Sequence, residues 1–120
     1  MKQTAGGKEE LYSSGEVQKM FGITRKTLFY YDKRGLLKPA ARKGSQEHKL
    51  YSQDDLNRLS QILHYKEAGL HISEIIILLD QASCSETDIL QEALQRITQE
   101  MKQKEHQVKL LREMIRNQTQ

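Results

Sequence analysis

Residues Ser13–Gly35 read SSGEVQKMFGITRKTLFYYDKRG, two short helices around a glycine turn. Ser13-x-x-Glu16 has capping-box spacing: the Ser hydroxyl accepts from the amide three residues on, and the Glu carboxylate accepts from the Ser amide. Val17, Met20 and Phe21 recur at helical spacing and give the first helix an apolar side. Gly22-Ile23-Thr24 is the turn, and Thr24 is placed to cap the second helix through its hydroxyl. That helix is predicted from about Arg25 to Arg34 and stops at Gly35, a residue suited to the left-handed conformation that ends helices.

Downstream, Leu36-Leu37-Lys38-Pro39 leaves the helix in extended form, because Pro39 disfavours helix at the residue before it. Ala40–His48 is polar and basic, and Lys49-Leu50-Tyr51 reads as a strand. A two-stranded hairpin across Leu37–Tyr51, a wing, is the simplest arrangement. Ser52-x-x-Asp55 opens a third helix carrying Leu56, Leu59, Ile62 and Leu63 and ending at Gly69. Ser73 is expected to cap a short helix containing Ile75, Ile76, Leu78 and Leu79, and Ser85-x-x-Asp88 opens the last one.

In the last helix Leu90, Leu94, Ile97, Met101, Lys104, Val108, Leu111 and Ile115 follow one another in steps of four and three, with Lys104 the polar exception. That is a coiled-coil seam sustained over several heptads. A lone helix would leave such a stripe in water, so a second helix is needed, most economically from a second copy of the chain in a two-fold dimer. Packing on the chain's own small domain is the alternative.

Composition agrees with a thin or oligomeric protein. The chain has 120 residues, 37% hydrophobic and 29% charged, room for one small domain and an extended element. From Lys8 to Lys66 there are 12 Lys/Arg against 7 Asp/Glu, and from Glu67 to Gln120 there are 6 against 9. The basic half coincides with the two-helix motif, the electrostatic footprint of a polyanion partner, although an ordinary solvated surface has the same composition. The single cysteine, Cys84, excludes an intrachain disulfide framework and suits a reducing cytoplasm. No apolar run approaches the roughly 20 residues of a membrane span, there is no signal peptide, and residues 1–10 read as a flexible leader.

A helix fits the DNA major groove, with polar or basic side chains near its N-terminus at the base edges. Arg25, Lys26 and Thr27 stand there. The two cations can donate to guanine or phosphate, and Thr27 can meet a phosphate or a thymine methyl. Leu28 points into the core. Tyr30 and Tyr31 lie about 100° apart on the helix, so one can be buried while the other faces DNA; the sequence leaves open which. Arg42, Lys43, His48 and Lys49 in the wing suit phosphate or minor-groove contact.

Several separate elements then fall into one order and spacing. They are Tyr12-Ser13 with Gly15-Glu16-Val17, Gly22-Ile23-Thr24, Thr27-Leu28 with Tyr30-Tyr31-Asp32, and Gly35-Leu36-Leu37-Lys38-Pro39. Leu50-Tyr51-Ser52 with Asp54-Asp55-Leu56, and Gly69, complete the set. The region from Leu11 to about Leu79 resembles the DNA-binding region of the MerR (mercury-resistance regulator) family, and the long helix extends the resemblance to Asn117. The resemblance implies a mainly α protein: a winged helix-turn-helix over residues 11–82, then a dimerisation helix over 85–117 in an antiparallel coiled coil. Its implied DNA-contacting residues are Ser13, Thr24–Thr27, the tyrosine pair and the wing cations. It further implies a homodimer on a pseudo-palindromic promoter, which it kinks and untwists to control transcription, reaching RNA polymerase through the DNA, with no catalytic group and no cofactor. Two positions depart from the family pattern. Phe29 stands where an arginine is usual, and Glu47-His48-Lys49 replaces Gly-Tyr-Arg, so Lys49 keeps the charge without the planar fork.

Metal-sensing relatives place one cysteine at the head of the dimerisation helix and more beyond its far end. Cys84 matches the first position and nothing matches the second; His48, His64, His71 and His106 are scattered. No metal site is expected. Cys84 is a candidate redox or electrophile sensor at a helix N-terminus, with a metal-responsive regulator through the same thiol as a further alternative, against the plainer reading of a small packed cysteine. Larger relatives carry a ligand-binding domain after the long helix, and this chain reads either as a short member or as the N-terminal part of a longer one. The remaining alternative class is a coiled-coil structural or adaptor protein.

Overall fold

The computed structural model describes residues 3–5, 9–44, 48–81 and 85–118. Its elements are strands β1 (Gln3–Ala5) and β2 (Glu9–Ser13), helices α1 (Ser14–Phe21) and α2 (Arg25–Lys33), strands β3 (Ala41–Lys43) and β4 (His48–Tyr51), and helices α3 (Gln53–Glu67), α4 (Ile72–Asp80) and α5 (Glu86–Gln118). The chain is mainly helical, with a small wing sheet and a long C-terminal helix, as the sequence predicts. Contacts divide it into two compact units, Met1–Ala68 and Gly69–Gln120. They therefore group α4 with the long helix.

Both expected capping boxes form in the first unit. Ser13 Oγ accepts from Glu16 N at 3.1 Å while Glu16 Oε1 accepts from Ser13 N at 2.9 Å. Ser52 and Asp55 repeat the exchange at 3.1 and 2.9 Å. Gly22 and Gly35 take φ of 66° and 74°, the left-handed positions that end α1 and turn the chain after α2. The core gathers Val17, Leu28, Leu36, Leu37, Tyr51, Leu56, Leu59 and Ile62, all buried. Met20, expected on the apolar side of α1, is exposed: on a two-turn helix Val17 takes the inward position and Met20 falls off the buried arc. Arg58 Nε donates to the Leu36 carbonyl at 2.7 Å and ties α3 to the segment leaving α2.

The sheet has the order β1-β2-β4-β3, all antiparallel. The wing hairpin is β3 and β4, with Arg42 opposite Lys49 and Lys43 opposite His48. β4 is also held on its other edge by β2, through Tyr12↔Tyr51 and Ser13↔Leu50. Within residues 1–10, expected as a flexible leader, Gln3–Ala5 pairs with β2 in the register Gln3↔Leu11, Thr4↔Glu10 and Ala5↔Glu9. The outer edge of β2 carries backbone donors and acceptors that a further strand satisfies.

In the second unit α4 begins two residues earlier than Ser73 would place it. The N-cap is His71, whose backbone N–H donates to Glu74 Oε1 at 2.7 Å, so the N3 carboxylate sets the start. Arg96 of α5 then grips Glu74 with both terminal nitrogens, at 2.8 and 3.0 Å, and donates to the Gly69 carbonyl at 3.1 Å. These bonds, with the His71 amide, hold the Glu74 carboxyl below its usual range. Ile75 and Ala93 are buried. No helix among the described residues is long and apolar enough to cross a membrane.

Candidate nucleic-acid interface

The N-terminus of α2 is built by Thr24, whose Oγ1 accepts from Thr27 N at 3.1 Å and lies 3.0 Å from Thr27 Oγ1. The Thr24 and Ser13 hydroxyls thus act first as helix caps. Arg25 and Lys26 stand exposed on the opening turn, with Thr27 half-buried beside them.

The tyrosine pair divides. Tyr31 is 5% exposed, its ring in the core, and burial pushes its phenol up. Position 31 lies on the same inward side of α2 as Leu28, three residues back. Tyr30 is exposed, its hydroxyl accepting from Arg34 Nη1 at 2.8 Å while the guanidinium lies 5.7 Å from the ring centroid.

Sequence reasoning assigned no role to Asp32, which is buried and organises the wing. Arg42 Nη2 donates to its two oxygens at 2.8 and 3.1 Å, Lys49 Nζ lies 3.1 Å away and Lys38 Nζ 3.9 Å. Arg42 and Lys49 face each other across the hairpin, a like-charge pair that would be unfavourable alone. Asp32 converts that repulsion into a brace between α2 and the wing. Burial by itself would push its carboxyl up; the hydrogen bonds from Arg42 and Lys49 outweigh burial and hold it below the ordinary range. A lone carboxylate within the basic run from Arg25 to Lys38 was the available signal. Arg42 and Lys49, expected as phosphate contacts, therefore have a structural bond as well, while Lys43 and His48 stand exposed at the hairpin.

Behind this face Tyr51 is fully buried and its hydroxyl has no hydrogen-bond partner among the described residues. Burial and, less strongly, the Asp32 charge push its phenol up to about 12. In front, a cleft of about 640 Å³ opens between the first turns of α1 (Ser14, Gly15, Gln18), the face of α2 (Arg25, Phe29, Asp32) and the wing (Arg42, His48, Lys49). Its polar walls carry a net positive charge and no nucleophile paired with a base. Lys49 also sits over the Phe29 ring, 4.9 Å from its centroid.

On α5, Leu90, Leu94, Met101, Val108, Leu111 and Ile115 of the expected seam are exposed. Ile97, also of the expected seam, is half-buried, and its side chain fills the space beside Gly69, where a Cβ would lie 2.8 Å from Ile97 Cδ1. Among the described residues no three His, Cys, Asp or Glu side chains converge as metal ligands. Cys84 lies outside the described residues.

Comparison with known proteins agrees with this geometry. The family described as MerR HTH family regulatory protein matches residues 12–82. The HTH-type transcriptional activator TipA of Streptomyces coelicolor is 46% identical over 69 residues, which are 58% of this chain and 27% of TipA, so the chain spans about a quarter of that relative's length. The crystal structure of MtaN, the N-terminus of the Bacillus subtilis multidrug transporter activator, superposes with a TM-score of 0.73 at 29% identity, covering 87% of this chain and 97% of that one. A cryo-EM structure of an EcmrR–DNA complex in EcmrR-RPo gives a TM-score of 0.70 at 28% identity, over 77% of this chain and 34% of that one. With more than half of its length matched, and with the helix-turn-helix and wing in place, the chain belongs to the MerR HTH family of transcriptional regulators.

Proposed function

We propose that this protein binds a pseudo-palindromic promoter as a homodimer, inserts α2 into the major groove, lays the wing on the flanking backbone and distorts the DNA to control transcription. RNA polymerase then responds to the altered DNA rather than to a surface of the protein. The observation that carries the DNA part is the face made by the opening turn of α2 and the Asp32-braced wing, where Arg25, Lys26, Lys43 and His48 are exposed together. A helix N-terminus flanked by cations favours phosphate, and side chains one turn further reach base edges. The EcmrR–DNA complex supports the reading by its similarity in fold.

The dimer part is supported by α5. Its 33 residues span about 50 Å, with an apolar stripe open along most of that length. A second α5 covers such a stripe, and a two-fold pair matches the symmetry of a palindromic site.

The test is selection of duplexes from a randomised pool by the full chain, followed by hydroxyl-radical footprinting and light scattering of free and bound protein. Two protected half-sites in successive grooves and the mass of a dimer are expected. Equal affinity for selected and random duplexes, or one protected patch under a monomer, would end the proposal.

A further inference from the structure

We propose that Phe29 is a base-reading residue, whose ring, steadied by Lys49, packs against a thymine methyl in the major groove. This rests on the DNA-binding reading above and adds to it a specificity determinant at a position where the family pattern has a cation.

The ring is 57% exposed, although its neighbour Leu28 is buried and the next aromatic but one, Tyr31, is in the core. Exposure of a large ring on a polar, basic face calls for something to cover it. Phe29 lies one helical turn after Arg25, on the same side of α2, and both line the cleft between α2 and the wing. A helix presenting Arg25 to DNA presents Phe29 with it.

The ring does not stand alone. Lys49 Nζ lies 4.9 Å from its centroid and 3.1 Å from Asp32 Oδ2. One ammonium is shared between a carboxylate and an aromatic face three residues apart on the same helix, so the wing fixes the ring's position. A cation against the ring also offsets the reluctance of an apolar group to approach a polyanion. Phenylalanine has no donor or acceptor, so it cannot distinguish bases by hydrogen bonds. The apolar feature of the major groove is the thymine C5-methyl, which phenylalanine can meet by contact.

The experiment takes a duplex selected by the full chain and replaces each thymidine singly by deoxyuridine, which removes the methyl and keeps every hydrogen-bonding group. One replacement per half-site is expected to weaken wild-type binding about fourfold, the value of one buried methyl-sized group. Phe29→Ala should bind the thymine and uracil forms of that position equally. Wild-type indifference to every replacement, with duplex binding intact, overturns the Phe29 assignment and leaves the DNA-binding reading standing. Methyl sensitivity that persists unchanged in Phe29→Ala overturns it as well, because another group then reads the methyl. Failure to select any duplex overturns the DNA-binding reading itself. Should Phe29→Ala not fold by circular dichroism, Phe29→Leu takes its place, with a reduced thymine–uracil difference expected and an undiminished one counting against the assignment.

Discussion

Leu28 on α2 and Leu94 on α5 are the same side chain at the same helical rhythm, yet one is 1% exposed and the other 65%. The unit over Met1–Ala68 completes itself: its apolar residues meet one another, its helix starts are capped by their own side chains, and its buried carboxylate holds three cations. The unit over Gly69–Gln120 completes only its first part, where Arg96, Glu74, Ile97 and Gly69 meet. Beyond Ile97 the large apolar side chains of α5 are exposed. One unit closes its own core, the other leaves an apolar stripe exposed, and substitutions should act on them in different ways if the proposed dimer covers that stripe.

The largest effect should come from the exposed stripe. Leu111 is 58% exposed, so Leu111→Asp breaks little packing within its unit. In a paired coiled coil it instead buries a charge in an apolar seam. Sedimentation should show monomers, and affinity for a two-half-site duplex should fall by about 10²- to 10⁴-fold as the second head is lost. A Leu111→Asp variant that remains dimeric and binds normally would remove the coiled-coil reading.

Next is the unit that closes its own core. Leu28→Ala opens a cavity in a closed core and should destabilise the protein by about 3 kcal/mol in chemical denaturation. Leu94→Ala, outside that core, should do little to a monomer at high dilution. Equal losses at the two sites under those conditions would erase the distinction between the units.

The brace between α2 and the wing gives a smaller, pH-dependent effect. Asp32 has a folded pKa below its ordinary value. Its contribution is therefore fully present above the usual carboxylate range near 4 and is lost as pH falls through the lower folded value. Asp32→Asn leaves Arg42 and Lys49 opposed across the hairpin without their shared anion. With both cations partly open to solvent, the loss at neutral pH should be about 1–2 kcal/mol. The variant's acid unfolding curve should be flatter below about pH 4 than the wild type's. A variant that parallels the wild type across that range would show that the carboxylate contributes nothing to holding the wing.

These sites also separate what a linear reading can reach from what it cannot. Capping boxes, the glycine after α2 and the heptad steps are local, set by residues three, four or seven apart, and the chain displays them directly. The strand β2 escaped because its pairing, Tyr12↔Tyr51, joins residues distant in the chain and has no helical period. Asp32 escaped for the same reason: its cations arrive from the wing. The tyrosine pair needed the third dimension to divide Tyr30 from Tyr31. At α4 the serine suggested one start, but a carboxylate at N3 with a willing backbone amide at His71 determined another.

Ile97 marks the line between the two kinds of packing, and the smallest predicted effect tests it. Gly69 holds φ at 93°, where side chains are strained, and a Cβ there would lie 2.8 Å from Ile97 Cδ1. Gly69→Ala should therefore destabilise by about 1 kcal/mol from backbone strain alone, with a further share from the clash. Ile97→Val removes the Cδ1 atom and should cost about 0.5–1.5 kcal/mol on its own. If Ile97 packs within its own unit, the double substitution should lose less than the two single losses together, because the removed methyl makes room for the new one. If Ile97 instead belongs to the seam, its truncation should lower dimer affinity and the two changes should simply add. Strict additivity in a thermodynamic cycle at fixed protein concentration would move Ile97 back into the stripe that runs on to Ile115.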